Sequence, residues 1–449
     1  MTYGPHTPAD RERMLTALGV DSIDALFADI PTAVRAHGLD VPPGLDELTL
    51  SRRLELLARR NRVDLVTFLG AGAYRHHIPA TVDQILSRGE FYTAYTPYQP
   101  EISQGTLQTI YEYQSLIAQL TGLDIVSASH YDGAAATAEA ALMTVRATRR
   151  DRVLVSRAVH RHFVDTTRTY FEGGRLELDE LPTLADGTTD LGALERELAD
   201  PARPVAGVIV GQPNAFGILE NMADAARLAH AAGALFVAVV EPVSLAVLAP
   251  PGDYGADIAV GEGQPLGIPL QYGGPYLGLL AARADLVRQV PGRLVGRTTD
   301  VDGRRAFVMT LRAREQDIRR DKAASNICTN QALCALAATV YIATLGPHGL
   351  HDVAALGAVK AKQLEDALSA VGVSRIHSGP YLNEFAARVP DARRVHATLV
   401  ERGFVAGLPL ADWYPDDPAL EDALLLCATE VTTDDDIARF ASALREVTG

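Results

Sequence analysis

A regular alternation of short apolar runs with helical segments, from residue 104 to about residue 290, limits the folds open to this chain. The predicted strands lie at 124–128, 152–155, 205–210, 235–240, 258–260 and 277–281. The predicted helices between them lie at 134–148, 160–171, 191–199 and 223–232. Apolar strands of this kind are buried on both faces, so the alternation predicts an α/β domain with a mostly parallel sheet and helices on both sides.

Smaller segments flank this region. Residues 9–61 predict short helices, at 22–28 after Asp21 and at 46–60, which form an N-terminal arm too small for its own core. After it, 328–345 and 351–371 predict two long helices, and strands at 385–389 and 424–428 with helices at 392–402 and 434–447 predict a C-terminal α/β unit. The arginine-rich stretch 291–325 is expected to be a structured crossover whose arginines pair with acids.

Residues 92–107 combine tyrosines, prolines and polar groups directly before a helix. Ser103 is a good N-cap, so we predict a helix that begins at Gln104 and stops at Gly122. An acid at Glu101 beside a helix N-terminus is typical of a site wall, although an ordinary loop entering a core helix explains the pattern equally well.

Composition and charge argue against several classes of function. The net charge of −15 argues against nucleic acid as a partner, because phosphate binding needs a basic surface. Three cysteines without CxxC spacing, and a weak His76–His77 pair, give no metal site and fit a reducing cytoplasm. The sequence has no signal pattern and no apolar run of membrane-spanning length, so no membrane association is expected.

Lysine is scarce. It occurs only at Lys322, Lys360 and Lys362, so 41 − 3 = 38 of the basic residues are arginine. Arginine can replace a surface lysine, but it cannot replace a lysine that must form an imine.

The motif TAYTPYQPEISQGTL at 93–107, with LTGLDIVSASHYDGAAATAEA at 120–140 and KAASNICTN at 322–330, resembles the glycine dehydrogenase (decarboxylating) family, the P-proteins of the glycine cleavage system. The resemblance extends over nearly the whole chain. The length is similar to that of subunit 1 in the two-subunit form of these enzymes.

The resemblance implies the fold of fold-type I pyridoxal-phosphate (PLP) enzymes. That fold has a large, mostly parallel-sheet domain and a smaller C-terminal α/β domain. With it we expect an N-terminal arm at 1–75, the large domain at 76–325, and connecting helices with the small domain at 326–449.

A PLP enzyme of this fold needs a phosphate cradle at a helix N-terminus and a group stacked on the cofactor ring. Asp132 and Gly133, which open the alanine-rich helix, are the candidates for the cradle. The candidates for the ring are His130, Tyr131 and His160, each of which could equally be structural.

The enzyme also needs an acid against the pyridinium nitrogen and an imine-forming lysine. Glu241, at the end of the strand at 235–240, stands where the acid belongs, although the family more often has Asp there. The expected lysine segment, 261–272, contains no lysine, and Lys322 is the only substitute within reach of the large domain.

The resemblance therefore implies that a lysine-bearing subunit 2 binds PLP covalently, and that this chain, with no catalytic lysine of its own, lines the tunnel to that site. Together the two would decarboxylate glycine, transfer the aminomethyl group to lipoylated H-protein, and form a two-plus-two heterotetramer. The residues expected to form the wall are Tyr95, Tyr98, Gln99, Glu101 and Gln104.

Three alternatives stay open. The chain could be a non-catalytic scaffold for its partner, or a self-sufficient PLP enzyme that uses Lys322. It could also be a paralogue acting on another amino acid, because Asp317 and Ala215 replace the His and Phe that are usual in the family.

Overall fold

The structure, a computed structural model, describes residues 4–36 and 38–449, and the chain divides into two compact units at Val63–Asp64. The first unit contains α1 (Pro8–Leu18) and α2 (Glu47–Ala58). The Asp46 carboxylate accepts the backbone N–H of Thr49 at 3.0 Å and caps α2. The predicted boundaries at 75/76 and 325/326 stay predictions.

The predicted helix at 22–28 is instead a 3₁₀ turn at Asp24–Phe27. The predicted capping residue, Asp21, is also wrong, because Ser22 Oγ accepts the N–H of Ala25 at 3.2 Å. A serine hydroxyl bonded three residues ahead stabilises a single turn, which ends before an α-helix is established.

The second unit is built on a seven-stranded sheet with its helices on both faces. Its elements to residue 282 are, in order, β1 (Val66–Thr67), α3 (Ala80–Leu86), α4 (Gly89–Tyr92), α5 (Gln104–Thr121), β2 (Ile125–Val126), α6 (Gly133–Thr148), β3 (Arg152–Ser156), α7 (Arg161–Glu172), β4 (Glu177–Leu181), α8 (Leu191–Leu198), β5 (Val205–Gln212), α9 (Met222–Ala231), β6 (Leu235–Val240), β7 (Ile258–Glu262) and β8 (Gly278–Ala282). The strand order is β2-β8-β7-β6-β5-β3-β4. Pairing from β4 to β7 is parallel, and only β8 runs antiparallel to its neighbours. The prediction of a mostly parallel sheet is confirmed.

Three strands of this region were not predicted from the sequence: β4 in the seven-stranded sheet, and two strands after it. β4 is an edge strand with charged residues at three of its five positions, so it lacks the continuous apolar signal of a buried strand. In the arginine-rich stretch, β9 (Leu294–Thr299) and β10 (Arg305–Thr310) pair as an antiparallel hairpin. The Asp302-Gly303 step between them is a recognised hairpin signal.

The chain then continues through α10 (Gln316–Arg319) and the long α11 (Ala332–Ser369). Gly346, with φ 62° and followed by Pro347, interrupts α11 and explains why the sequence predicts two helices there. By length and composition α11 could span a membrane, but core helices of soluble proteins meet the same test.

The C-terminal part is a small α/β layer packed on the second half of α11. It contains β11 (Glu384–Arg388), α12 (Ala392–Glu401), β12 (Phe404–Val405), β13 (Leu408–Pro409), β14 (Ala423–Cys427) and α13 (Asp434–Thr448). β1 pairs with β12 in parallel, and Phe68, just after β1, stacks on Phe440 with ring centroids 4.2 Å apart. These contacts bring the 68–76 segment, which leads into the candidate site, against the C-terminal layer.

Candidate functional site

A cavity of about 60 Å³ lies at the carboxyl ends of β3, β5, β6 and β7, where ligands bind in parallel α/β sheets. Its lining residues are Ala71, Gly72, Tyr74, Ala158, His160, Phe163, Gly211, Pro213, Asn214, Ala215, Val239, Val240, Glu241, Glu262, Glu384 and Trp413. Three carboxylates and four aromatic or imidazole rings therefore share one small space. None of its lining residues is a lysine or an arginine.

The predicted cradle forms where it was expected. Asp132 caps α6 by accepting the N–H of Ala135 at 2.7 Å. A Cβ at Gly133 would lie 2.6 Å from the Phe163 ring and 2.9 Å from the backbone nitrogen of Glu262, so only glycine permits this close packing.

An internal carboxylate, however, fills the cradle. Glu262 Oε2 accepts the N–H of Gly133 at 2.9 Å, and Oε1 accepts the N–H groups of Gln264 and Leu277, each at 2.9 Å. Burial raises the pKa of Glu262 to about 7, although the three N–H donors act in the opposite direction. Sequence reasoning missed Glu262, which lies in the segment that was searched for a lysine.

Glu241 lies in the cavity wall at the end of β6, as predicted. Its carboxylate folds back onto the next turn, where it accepts the N–H groups of Val243 at 2.9 Å and Ser244 at 2.6 Å. Burial raises the pKa of Glu241. Both carboxylate oxygens are thus held by the chain's own backbone.

Glu384 reaches the cavity from β11 in the C-terminal layer. Oε1 accepts the N–H of Ala71 at 2.6 Å, and Oε2 accepts the hydroxyl of Tyr74 at 3.0 Å. Burial raises the pKa of Glu384 to about 7, and the nearby charge of Glu241 raises it further. Glu384 and Ala71 are 313 positions apart in the chain, and sequence patterns report only on near neighbours. The place of Glu384 in this site could therefore not be predicted from the sequence.

His160 lies in the cavity wall, where its Nε2 is 2.8 Å from the carbonyl oxygen of Ala71. Its ring packs against Trp413 at 4.5 Å and Phe163 at 4.7 Å between centroids. Burial lowers the pKa of His160 to about 4, so the ring is neutral. The other two ring candidates, His130 and Tyr131, lie in a separate cavity.

These features do not fit PLP. The N–H of Gly133 at the N-terminus of α6 already donates to Glu262, and the buried carboxylates of Glu241 and Glu384 would repel a dianion. The volume of about 60 Å³ is small beside the roughly 300–1,000 Å³ of typical cofactor pockets. Lys322 is exposed and is not part of the cavity wall.

The predicted wall residues lie elsewhere, along the segment before α5, and none of the five lines the cavity. Tyr95 and Tyr98 are 71% and 46% exposed, and Gln99 and Glu101 are also exposed. Gln104 is half-buried, and its amide exchanges two hydrogen bonds with the backbone of Phe307 on β10, each at 2.9 Å.

Helix α5 begins at Gln104 and ends at Gly122, as predicted. Ser103, however, is wrong as a capping residue, because its side chain makes no cap hydrogen bond. Its φ of −118° and ψ of 25° depart from the extended conformation that a capping side chain requires.

Arg293 fixes the middle of this segment. Its guanidinium donates to Thr96 Oγ1 at 3.0 Å and to the Tyr98 hydroxyl at 3.2 Å, and it lies 5.5 Å from the centre of the Tyr98 ring. The expectation that arginines of 291–325 pair with acids holds for Arg312, which lies 2.7 Å from Asp317. The expectation holds for Arg293 as well, because its Nε lies 3.8 Å from Glu315 Oε2, while its hydrogen bonds go to the two hydroxyl groups.

His76 and His77 form no metal site. His76 Nδ1 lies 2.7 Å from Glu430, and the N–H of His77 donates to the same carboxylate at 2.7 Å. Across residues 4–36 and 38–449, no group of three or more His, Cys, Asp or Glu side chains could hold a metal ion.

The sheet order and the position of the cavity define a fold-type I PLP-dependent enzyme fold. A NifS-like protein shares that fold, with a TM-score of 0.63 at 14% identity over 85% of this chain and 99% of its own. In this chain the fold is retained, the segment 261–272 contains no lysine, and Glu262 occupies the N-terminus of α6.

The family model of the glycine cleavage system P-protein matches residues 1–444, and the chain belongs to that family. A probable glycine dehydrogenase (decarboxylating) subunit 1 from Moorella thermoacetica is 54% identical over 100% of both chains. Its counterpart from Anaeromyxobacter dehalogenans is 50% identical over 99% of this chain and 100% of its own. A crystal structure of glycine decarboxylase (P-protein) in inhibitor-bound form superposes with a TM-score of 0.90 at 44% identity, covering 100% of both chains.

Proposed function

We propose that this chain is subunit 1 of a two-subunit glycine dehydrogenase (decarboxylating), and that its partner, subunit 2, carries the PLP-binding lysine. The observation that carries the proposal is the filled cradle. Glu262 accepts the N–H of Gly133 at the helix N-terminus where the cofactor phosphate would bind, in a chain whose relatives are named subunit 1. That name implies a second subunit.

In this proposal PLP, bound covalently by the partner, serves as the electron sink for decarboxylation of glycine. This chain contributes the exposed segment that contains Tyr95, Tyr98, Gln99 and Glu101, which orients the substrate and excludes water at the partner's site. Gln104 anchors that segment on β10. The aminomethyl group then passes to the lipoyl arm of H-protein.

We further propose that the assembly is a heterotetramer with two copies of each chain, and that it works in the cytoplasm. The free cysteines Cys328, Cys334 and Cys427 are compatible with a reducing compartment. The family resemblance supports glycine as the substrate. Asp317, which pairs with Arg312, and Ala215, in the cavity wall, stand where the resemblance implies His and Phe, so a paralogue acting on another amino acid is the alternative.

The test is to reduce the co-purified complex with borohydride in the presence of PLP and to locate the pyridoxyl group by mass spectrometry. We expect the label on the partner, none on this chain, and glycine–carbon dioxide exchange only when both chains and H-protein are present. A pyridoxyl group on Lys322, lost in Lys322→Arg, would show that this chain is a PLP enzyme by itself. If the partner alone catalysed the exchange at the full rate, this chain would be a non-catalytic scaffold.

A further inference from the structure

A tight turn forms part of the wall of the first cavity. The N–H of Ala73 donates to the carbonyl of Gly70 at 3.4 Å, and φ is positive at both residues between them, 58° at Ala71 and 89° at Gly72. Positive φ at both central positions is typical of a type I′ turn. Ala71, Gly72 and the following Tyr74 line the cavity. Gly70 to Tyr74 are called the turn segment below.

Within the described part of the chain, side chains hold the turn segment in place and no strand pairs with it. Glu384 accepts the N–H of Ala71 at 2.6 Å, and His160 donates to the carbonyl of Ala71 at 2.8 Å. Gln264 exchanges two hydrogen bonds with the backbone of Tyr74, at 2.8 and 3.0 Å. Because no strand pairing has to break, these bonds can be lost while the sheets stay intact.

Both ends of the turn segment are anchored on the C-terminal layer. Before it, the carbonyl of Phe68 accepts the N–H of Cys427 at 2.8 Å. After it, the carbonyl of Arg75 accepts the hydroxyl of Thr429 at 2.7 Å. The turn segment can therefore move between two fixed points, as a hinged element does.

The observed conformation of the turn segment is strained at one residue. Ala71 lies in the left-handed region, which costs a non-glycine residue free energy and persists only where the surroundings impose it. A Cβ at Gly70 would collide with the Glu384 carboxylate, and one at Gly72 would lie 2.5 Å from the His160 ring. The two glycines thus let both anchoring side chains approach, and those side chains hold Ala71 in its strained conformation.

Trp413 lines two cavities. One is the first cavity, and the other is a larger one of about 630 Å³, whose walls include Arg161 and His162. The Trp413 ring packs at 4.5 Å on His160, the residue that holds the carbonyl of Ala71. Loss of that hydrogen bond would therefore open the first cavity beside the single tryptophan of the chain.

We propose that the turn segment is a latch, which opens as a unit while the sheets stay folded and so controls the entry of small molecules into the first cavity. Glu384 and His160 keep the latch closed, and the strain at Ala71 favours its opening. The latch does not rest on the function proposed above, because neither the partner nor a cofactor takes part in it.

Hydrogen exchange of the full chain, followed by mass spectrometry, tests the latch. In the wild type, peptides covering residues 68–76 should exchange faster than peptides from β5, which is buried in the middle of the sheet. Glu384→Met keeps the length of the side chain but removes the acceptor of the Ala71 N–H, so exchange at 68–76 should be at least about tenfold faster. Glu384→Gln is the matched control, because it can keep both contacts and should exchange as the wild type does.

A second pair of variants guards against misfolding at the buried Glu384. Ala71 is only half-buried, and Ala71→Val increases the strain there because a β-branched residue rarely adopts positive φ. We expect severalfold faster exchange at 68–76 in this variant. Ala73→Val is its control, at a residue of the same turn where φ is negative, and should exchange as the wild type does.

Quenching of Trp413 fluorescence by acrylamide is the second measurement, and fraying of a surface turn alone would not change it. Faster exchange at 68–76 together with a higher quenching constant, in Glu384→Met and Ala71→Val but in neither control, would support the latch. Three results would overturn it: exchange of 68–76 at the rate of β5 in the wild type, faster exchange with unchanged quenching, or equal behaviour of Glu384→Gln and Glu384→Met.

Discussion

The Glu262 carboxylate lies 2.9 Å from the backbone nitrogen of Gly133, at the position where a helix N-terminus in this fold would receive a phosphate. The chain thus supplies its own anion to the cradle. The same carboxylate also accepts the N–H groups of Gln264 and Leu277, so one residue satisfies three backbone donors.

The first prediction concerns this internal anion. Glu262→Ala leaves the N–H groups of Gly133, Gln264 and Leu277 without their acceptor, which should lower the free energy of unfolding by about 2–4 kcal/mol. Formate should then restore part of the melting temperature, because a small monoanionic carboxylate can take the place of the one removed. Differential scanning calorimetry of variant and wild type, in formate and in chloride, measures both effects. An equal gain by the wild type in formate would show that the anion binds elsewhere.

The pH dependence of stability provides the second prediction. The pKa of Glu384 is about 7 in the folded chain and near its ordinary 4.5 when unfolded. A carboxyl with a raised folded pKa binds protons more tightly in the native state, so its contribution is complete below about pH 4.5 and is lost as the pH rises through about 7. The loss is on the order of 3 kcal/mol.

Glu384→Gln tests this because glutamine can keep both contacts. Its carbonyl oxygen can accept the N–H of Ala71, and its amide can donate to the Tyr74 hydroxyl. Chemical denaturation at a series of pH values should show a shallower decline in the unfolding free energy for the variant between about pH 4.5 and pH 7. The exposed Glu421→Gln should follow the wild type. Parallel curves for the wild type and Glu384→Gln would assign the pH dependence to other groups.

The third prediction concerns Arg293. Arg293→Met removes the donors to Thr96 and Tyr98, so we expect a loss of about 1.5–3 kcal/mol of stability and faster proteolytic cleavage near residues 92–99. Arg297→Met, four residues further along the chain in β9 and exposed, is the matched control and should change neither. Identical cleavage rates in the two variants would mean that Arg293 does not hold the segment.

Whether a feature of this fold can be predicted from the sequence depends on how far apart along the chain its contacting residues lie. Local rules correctly placed α5 between Gln104 and Gly122 and α6, predicted at 134–148, to within one residue, because each depends on neighbours within four residues. The alternation of apolar runs was enough for the parallel sheet. These are the parts of the fold in which spacing along the chain and proximity in space coincide.

The site was less predictable for the opposite reason. Glu384 contacts Ala71, 313 positions away in the chain, and Arg293 contacts Thr96, 197 positions away. No local sequence pattern predicts contacts over such separations. The hairpin β9–β10 is different, because Asp302-Gly303 was a usable signal that the arginines around it obscured. Glu262 was overlooked because the search of 261–272 sought a cation, and the residue that fills the cradle is an anion.

The last prediction asks whether Glu101 acts on the reaction. Glu101 is exposed before α5, and no hydrogen bond of its side chain is recorded among the described residues, so the structure gives it no capping role. If it orients substrate or moves a proton at the partner's site, Glu101→Gln should preserve folding and complex formation. It should slow glycine–carbon dioxide exchange roughly a hundredfold.

Two further variants are compared with Glu101→Gln in the same exchange assay, with partner and H-protein in excess. Tyr95→Phe should slow exchange less, because it removes one hydroxyl and keeps the ring. Glu112→Gln is the matched control, since Glu112 is exposed on α5 and lies 2.7 Å from Gln108 on its own helix, and it should exchange at the wild-type rate. A pH–rate profile that Glu101→Gln alters and Glu112→Gln does not would identify a titrating group at the site. Full exchange by the Glu101→Gln complex would remove Glu101 from the mechanism and favour a scaffold role for the 92–107 segment.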